Sequence, residues 1–320
     1  MKPPLSIWIV WLSIVMWLFL NNANAQEKRI SISESMAGSP NRLLEIYETT
    51  AQQAELNRTV DALLATRRSS LPVLRQTIIT GTEKQKLLSL GLLREMRDNE
   101  SEAVLIKAMY DGSPRVQRRA AHTIGYLKYQ NGYEYLVEML RNTQDLDLIK
   151  SVLAGLGMLG NDKALPVIRP WLNHYDSSVR VNTAISLAAL GSEEGLSEVI
   201  LASVSEDNQI RREGTFGLGY FQNIRARSRL EEIVVDPKAP WKTEAHVALL
   251  RMDLATKDSQ DRLKLLQKQL EHPNKAVRKW IIDEISESDT PESVKALRSI
   301  SDKQTPEGKY AKRKLLTLGF

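Results

Sequence analysis

The chain has no cysteine among its 320 residues. Disulfides, zinc thiolate sites and thiol nucleophiles are therefore excluded. Histidine is scarce too. His122, His174, His246 and His272 are the full set, and no two stand three or four apart, so helical metal-ligand spacing is absent. There is no Gly-x-Ser-x-Gly, no phosphate loop and no penicillin-binding motif set. The expectation is no catalytic residue, no cofactor and no metal. Aromatics make up only 6% of the chain, and the formal charge of +5 is a mild excess, 44 basic against 39 acidic residues. Dedicated nucleic-acid binders usually carry more, so no nucleic-acid partner is expected.

What is present is repetition. Asp176 to Gly191 reads as an amphipathic helix, with Asp176 and Ser177 as N-cap types. Its apolar stripe is Val179, Thr183, Leu187 and Leu190, and Gly191 ends it. With Val179 as position 1, copies start at Val116, Leu148, Ile210, Trp241, Val277 and Tyr310, with a weaker one near Thr82 to Gly91. From Val116 onward the starts lie 32, 31, 31, 31, 36 and 33 residues apart. Position 10 is small in several copies (Gly125, Gly157, Ala188, Gly219), which suits tight helix contact. A steady period of this length is the mark of a stacked repeat. Hydrophobic residues, 42% of the chain, are then shared between neighbouring units instead of one central core.

Val179-Arg180 with Ala184, the small position 10 and the Leu190-Gly191 ending resemble HEAT repeats, and the short period resembles the phycobilin-lyase-type HEAT-like subclass. The resemblance covers roughly residues 55 to 320. It implies an all-α fold, an α-α superhelix (HEAT-like or armadillo-type solenoid) of about 7–8 helical hairpins. With about 10 Å between packed helix layers, such a stack spans roughly 70–80 Å as a rod or arc. HEAT-like repeats also serve a di-iron hydroxylase family that uses His-Glu pairs; no His-Glu dipeptide occurs here.

Residues 1–25 read as a secretory signal peptide. Lys2 precedes an apolar run from Leu5 to Leu20, and Ala23-Asn24-Ala25 is a cleavage signal, with Ala25 as the cleaved residue. The run is somewhat short for a membrane span of about 20 residues, although Trp8, Trp11 and Trp17 suit an uncleaved anchor. Residues 26–40 read as a flexible leader, 41–80 as N-terminal capping helices and 81–320 as HEAT-like repeats. Second helices fall at Tyr133–Leu140, Ala164–Leu172, Gly195–Val204 and Arg229–Val235. Pro237 and Pro240 place a loop or bend before Trp241.

One constellation stands above background. Position 3 is Arg118, Lys150, Val181, Arg212, Thr243, Lys279 and Lys312, and by helical angle it lies opposite the core stripe. By resemblance the anchored helix is the inner one, so this basic ladder would line a concave groove. His122, Tyr126, Phe216, Tyr220 and Trp280 fall near the same rim; aromatics and arginine dominate binding hot spots. The resemblance also implies that Arg180, Arg211 and Arg278 at position 2 pair with Asp111, Asp176 and Asp207 in a structural ladder. The groove expected is thus Arg118, His122, Tyr126, Lys150, Arg212, Phe216, Tyr220, Lys279 and Trp280.

The function expected is an exported, periplasmic scaffold that binds a protein partner through its concave face without catalysis, with no integral membrane span after signal cleavage. Two alternatives stand beside it: a lyase-like or chromophore-handling protein related to phycobilin lyases, and a binder of anionic envelope polymer.

Overall fold

The computed structural model describes residues 38–288 and 290–320. The expected signal peptide and most of the leader lie outside them. The described residues hold eighteen α-helices and no strand. The chain divides into one unit ending at Val73 and a second from Leu74 to Phe320. In the first, α1 (Pro40–Thr49) starts on the Ser39 cap and packs on α2 (Gln53–Ala65). Helix α3 (Arg67–Thr80) carries the boundary.

The second unit continues with α4 (Glu83–Glu95), α5 (Glu102–Ala108), α6 (Pro114–Tyr126), α7 (Tyr133–Asn142), α8 (Leu146–Leu159) and α9 (Leu165–Ile168). Then come α10 (Ser177–Ala189), α11 (Leu196–Ala202), α12 (Asn208–Leu218), α13 (Ile224–Val235) and α14 (Lys242–Ala255). The last are α15 (Ser259–Lys268), α16 (Lys275–Glu287), α17 (Pro291–Ser301) and α18 (Pro306–Leu318). From α4 to α18 the even-numbered helices form one row, each packed on the next, and each odd-numbered helix from α5 packs on the helix that follows it. This is an α-solenoid of HEAT-like repeats. Among the described residues, no helix is long and apolar enough to cross a membrane.

Local chemistry explains where the row helices begin. Ser113, Asp145, Asp176, Asp207 and Asn274 each stand three residues before position 1, and each side chain accepts a first-turn amide. A cap of this kind satisfies donors that the helix itself leaves open. The odd-numbered helices are less regular. The predicted helix at Ala164–Leu172 breaks into two 3-10 turns around the four-residue α9, because Pro166 and Pro170 cannot donate to the ladder. Trp241, expected as a first core position, is instead a left-handed N-cap residue at φ 64°. In α18 the buried face is Gly308, Ala311 and Leu315, out of register with the predicted anchor Tyr310.

The expected rod or arc is not what forms within the second unit, because the row curls until its two ends touch. Arg97, just past α4, donates to the Ser286 carbonyl at 2.6 Å and pairs with Glu287 at 3.1 Å. The Tyr126 hydroxyl also donates to Glu287. Lys314 on α18 lies 2.9 Å from Glu95 on α4 and 2.8 Å from Asp283 on α16, and the Tyr310 hydroxyl donates to Asp283 at 2.5 Å. Position 10 supplies the curvature. A Cβ on Gly125 would strike the Gly155 carbonyl, one on Gly157 would lie 2.9 Å from Ser186 Cα, and one on Gly219 would lie 2.7 Å from Ala248 Cα. The row helices approach closely at these points, so the stack bends towards them.

Candidate concave binding site

Inside this curve the row helices α4 to α12 line one cavity of about 820 Å³. Its lining follows a helical stripe of spacing three and four. Position 4 contributes Arg119, Ser151, Asn182 and Glu213; position 7 contributes His122, Ala154, Ile185 and Phe216; position 11 contributes Met158, Ala189 and Tyr220. The anchored helices are therefore the inner ones. Arg94 from α4 and Arg115, Arg118 and Lys150 add charge, making five cationic side chains against the carboxylates of Asp147 and Glu213. The cations gather on α4, α6 and the start of α8, the aromatics at the end of α12.

Each wall has its own bonding. Arg94 lies over the Tyr126 ring at 4.3 Å, and its Nε has no hydrogen-bond partner. His122 is largely buried, and its Nδ1 is likewise unpartnered. Burial, then the fields of Arg94 and Arg119, push its pKa down to about 4, so it is neutral at pH 7. Burial and the Arg94 charge also hold Arg119 below the usual guanidinium value. On the far wall Phe216 meets Tyr220 edge-on at 5.6 Å, and Arg251 from α14 sits over both rings at 4.6 and 4.4 Å. Glu213 accepts from Ser178 at 2.7 Å and from Gln209 at 2.8 Å. The Ser151 and Ser186 hydroxyls donate to carbonyls of their own helices, both at 2.8 Å. Among the described residues no cluster of His, Asp and Glu could hold a metal.

Of the nine residues expected in the groove, the cavity brings together Arg118, His122, Lys150, Phe216 and Tyr220. Tyr126 stands at its edge, held by Arg94 and Glu287. The other three are elsewhere. Arg212 pairs with Glu244 at 2.9 Å, Lys279 covers the Tyr310 ring at 4.8 Å, and Trp280 packs against the C-terminal apolar core. The basic ladder is thus largely a brace between units. Arg118 reaches Asp147 on α8 at 2.8 Å, Arg212 reaches α14, Thr243 bonds the Asn274 cap of α16 at 2.6 Å, and Lys279 reaches α18. Lys150 pairs within its own helix, at 2.9 Å from Asp147, and Val181 is fully buried.

At 100° per residue, positions 3 and 10 lie roughly 20° apart, so both face the next unit. The open face is a quarter-turn away, between two neighbours. Pattern reading missed Arg94, Arg119, Met158, Ile185 and Glu213 for that reason, although positions 4, 7 and 11 carry the signal once the open face is known.

The position 2 ladder also differs from expectation. Asp176 and Asp207 cap their own helices, while Asp111 pairs with Lys86 at 2.6 Å. The arginines turn back to carbonyls six residues earlier: Arg180 to His174 at 2.9 Å, Arg211 to Ser205 at 2.5 Å and Arg278 to His272 at 2.7 Å. Gln117 does the same to Asp111 at 2.6 Å. Each closes the turn that enters its inner helix.

A stack of helix pairs around an inner face defines an α-solenoid scaffold. Residues 133–216 match the family described as HEAT repeats, and the chain is built of HEAT-like repeats. It is similar to the complex of CpcE and CpcF of phycocyanin lyase from Nostoc sp. PCC7120, at 16% identity over 72% of this chain and 93% of that one, with a TM-score of 0.54. That is a likeness of fold. Looser likenesses, which bear on nothing further, are to an engineered protein (16% identity, 92% and 95% covered, TM-score 0.37) and human deoxyhypusine hydroxylase (16%, 78% and 96%, TM-score 0.38). No curated protein matches.

Proposed function

We propose that this chain is a non-catalytic scaffold whose concave face holds an extended segment of a protein partner. The observation that carries this reading is the single cavity shared by five successive inner helices, α4 to α12. Neighbouring helices stand about 10 Å apart, so the cations on α6 and the aromatics at the end of α12 lie roughly 30 Å apart along the face. An extended chain rises about 3.3 Å per residue, and some nine residues cover that distance where one compact ligand would not. The fold class supports the reading, since stacked repeats make continuous concave surfaces.

A photo-reactive phenylalanine analogue at Ile185, in cells that naturally make the protein, tests it. The expected result is one protein adduct enriched over the same probe at Val235, which is exposed on α13. Equal labelling at both positions overturns it.

The same proposal has the chain exported, on the strength of the pattern in residues 1–25. A mature protein beginning at Gln26 is then expected by mass spectrometry. The lyase-like alternative has behind it the likeness to phycocyanin lyase subunits. A bilin titration without spectral change removes it.

A further inference from the structure

We infer that Arg94, Arg119 and His122, on the adjacent inner helices α4 and α6, form a seat for the carboxylate of an acidic residue in the bound segment. The inference rests on the concave-face reading and deepens it. Three of the five cations around the cavity are already engaged: Arg115 with Glu83, and Arg118 and Lys150 with Asp147. Arg94 and Arg119 have no ion pair among the described residues, yet both line the cavity.

The carboxylate whose field reaches both arginines is Glu95, which is held by Lys314 at 2.9 Å. Two guanidinium groups and an imidazole thus face one another with like charge or none, and Arg94 Nε and His122 Nδ1 lack partners. Buried polar atoms are normally satisfied, and the planar guanidinium fork matches an oxyanion. An incoming carboxylate relieves the repulsion and supplies the missing acceptor. It also favours the protonated imidazole, which then donates from both ring nitrogens. The charges whose fields reach His122 are Arg94 from α4 and Arg119 on α6; Arg118 on α6 and Asp147 and Lys150 from α8 line the same cavity, and Glu95 on α4 acts on the two arginines.

The chain labelled with ¹³C-histidine and titrated with sodium glutarate, against sodium chloride of equal ionic strength, tests the seat. The His122 resonance is assigned through His122→Gln. Glutarate is expected to shift it saturably and to raise its pKa from about 4 by roughly one unit or more. Arg94→Gln with Arg119→Gln abolishes both effects while the circular dichroism stays unchanged; Arg119→Gln alone, at a solvent-accessible position, weakens them. A parallel titration with inorganic phosphate shows which oxyanion the seat prefers, and carboxylate selectivity requires glutarate to bind at least as tightly. Shifts that chloride reproduces, or that survive the double substitution, overturn the seat. That result leaves the photo-crosslinking test of the concave face standing on its own.

Discussion

His122 is largely buried beside two arginines, and its Nδ1 has no hydrogen-bond partner. It is kept neutral down to about pH 4 by burial and by Arg94 and Arg119, whereas an unfolded histidine takes up its proton near 6.5. Between those two values the unfolded state binds more protons. Stability from this group is therefore full above about pH 6.5 and is lost as pH falls towards 4, by about 3 kcal/mol at most. His122→Gln should flatten that slope by a similar amount in denaturant titrations at pH 7, 5 and 4. An unchanged slope would mean that the imidazole is solvated. Sequence pattern alone places His122 off the core stripe but cannot tell solvent from cavity, since burial there depends on α4, some thirty residues earlier. Arg94 and Arg119 were illegible for the same reason. An arginine on a polar stripe looks alike whether a carboxylate from another unit reaches it or not.

The inner helices behave as the local pattern requires, and their contacts test how tightly they are set. A side chain at Gly125 would meet backbone, the Gly155 carbonyl, which cannot rotate away. Gly125→Ala should thus push α6 from α8 and cost about 1–3 kcal/mol, despite the better helix propensity of alanine. Chemical denaturation checks it, and a neutral or stabilising outcome would show that the row can slide. Element starts were readable because a cap and the amide that donates to it lie within three residues of each other. The odd-numbered helices were less so. Pro166 and Pro170 turn a helical pattern into short 3-10 turns, and the α18 register shifts because Thr305 caps the helix earlier than Tyr310 suggests.

At the scale of the second unit, the contacts between its ends are polar and partly exposed. Glu287 accepts from Arg97 and Tyr126, and Lys314 sits between Glu95 and Asp283. Burial raises the Glu95 carboxyl, but Lys314 and Arg94 outweigh it and hold the group below the usual range. Arg97→Ala with Tyr126→Phe should leave each repeat folded while opening the row. The expected signs are a larger radius of gyration in X-ray scattering and faster amide exchange confined to α4, α6 and α16. Scattering and exchange identical to the unaltered chain would show that the closure rests on something other than these side chains.

What the sequence determined by itself is everything set by neighbours along one helix: all-α structure, a period of thirty-odd residues, the caps, and the small residues where helices cross. Those follow from interactions spanning three or four positions, and they repeat often enough to be read. Tertiary structure alone decided which stripe faces the cavity and that the row closes. A helix in a stack has neighbours on two sides, so the face opposite the core belongs to the next repeat, and the open face lies between. Closure is the sum of small rotations at successive close contacts, each set by the fit of one helix against another that the chain has yet to build.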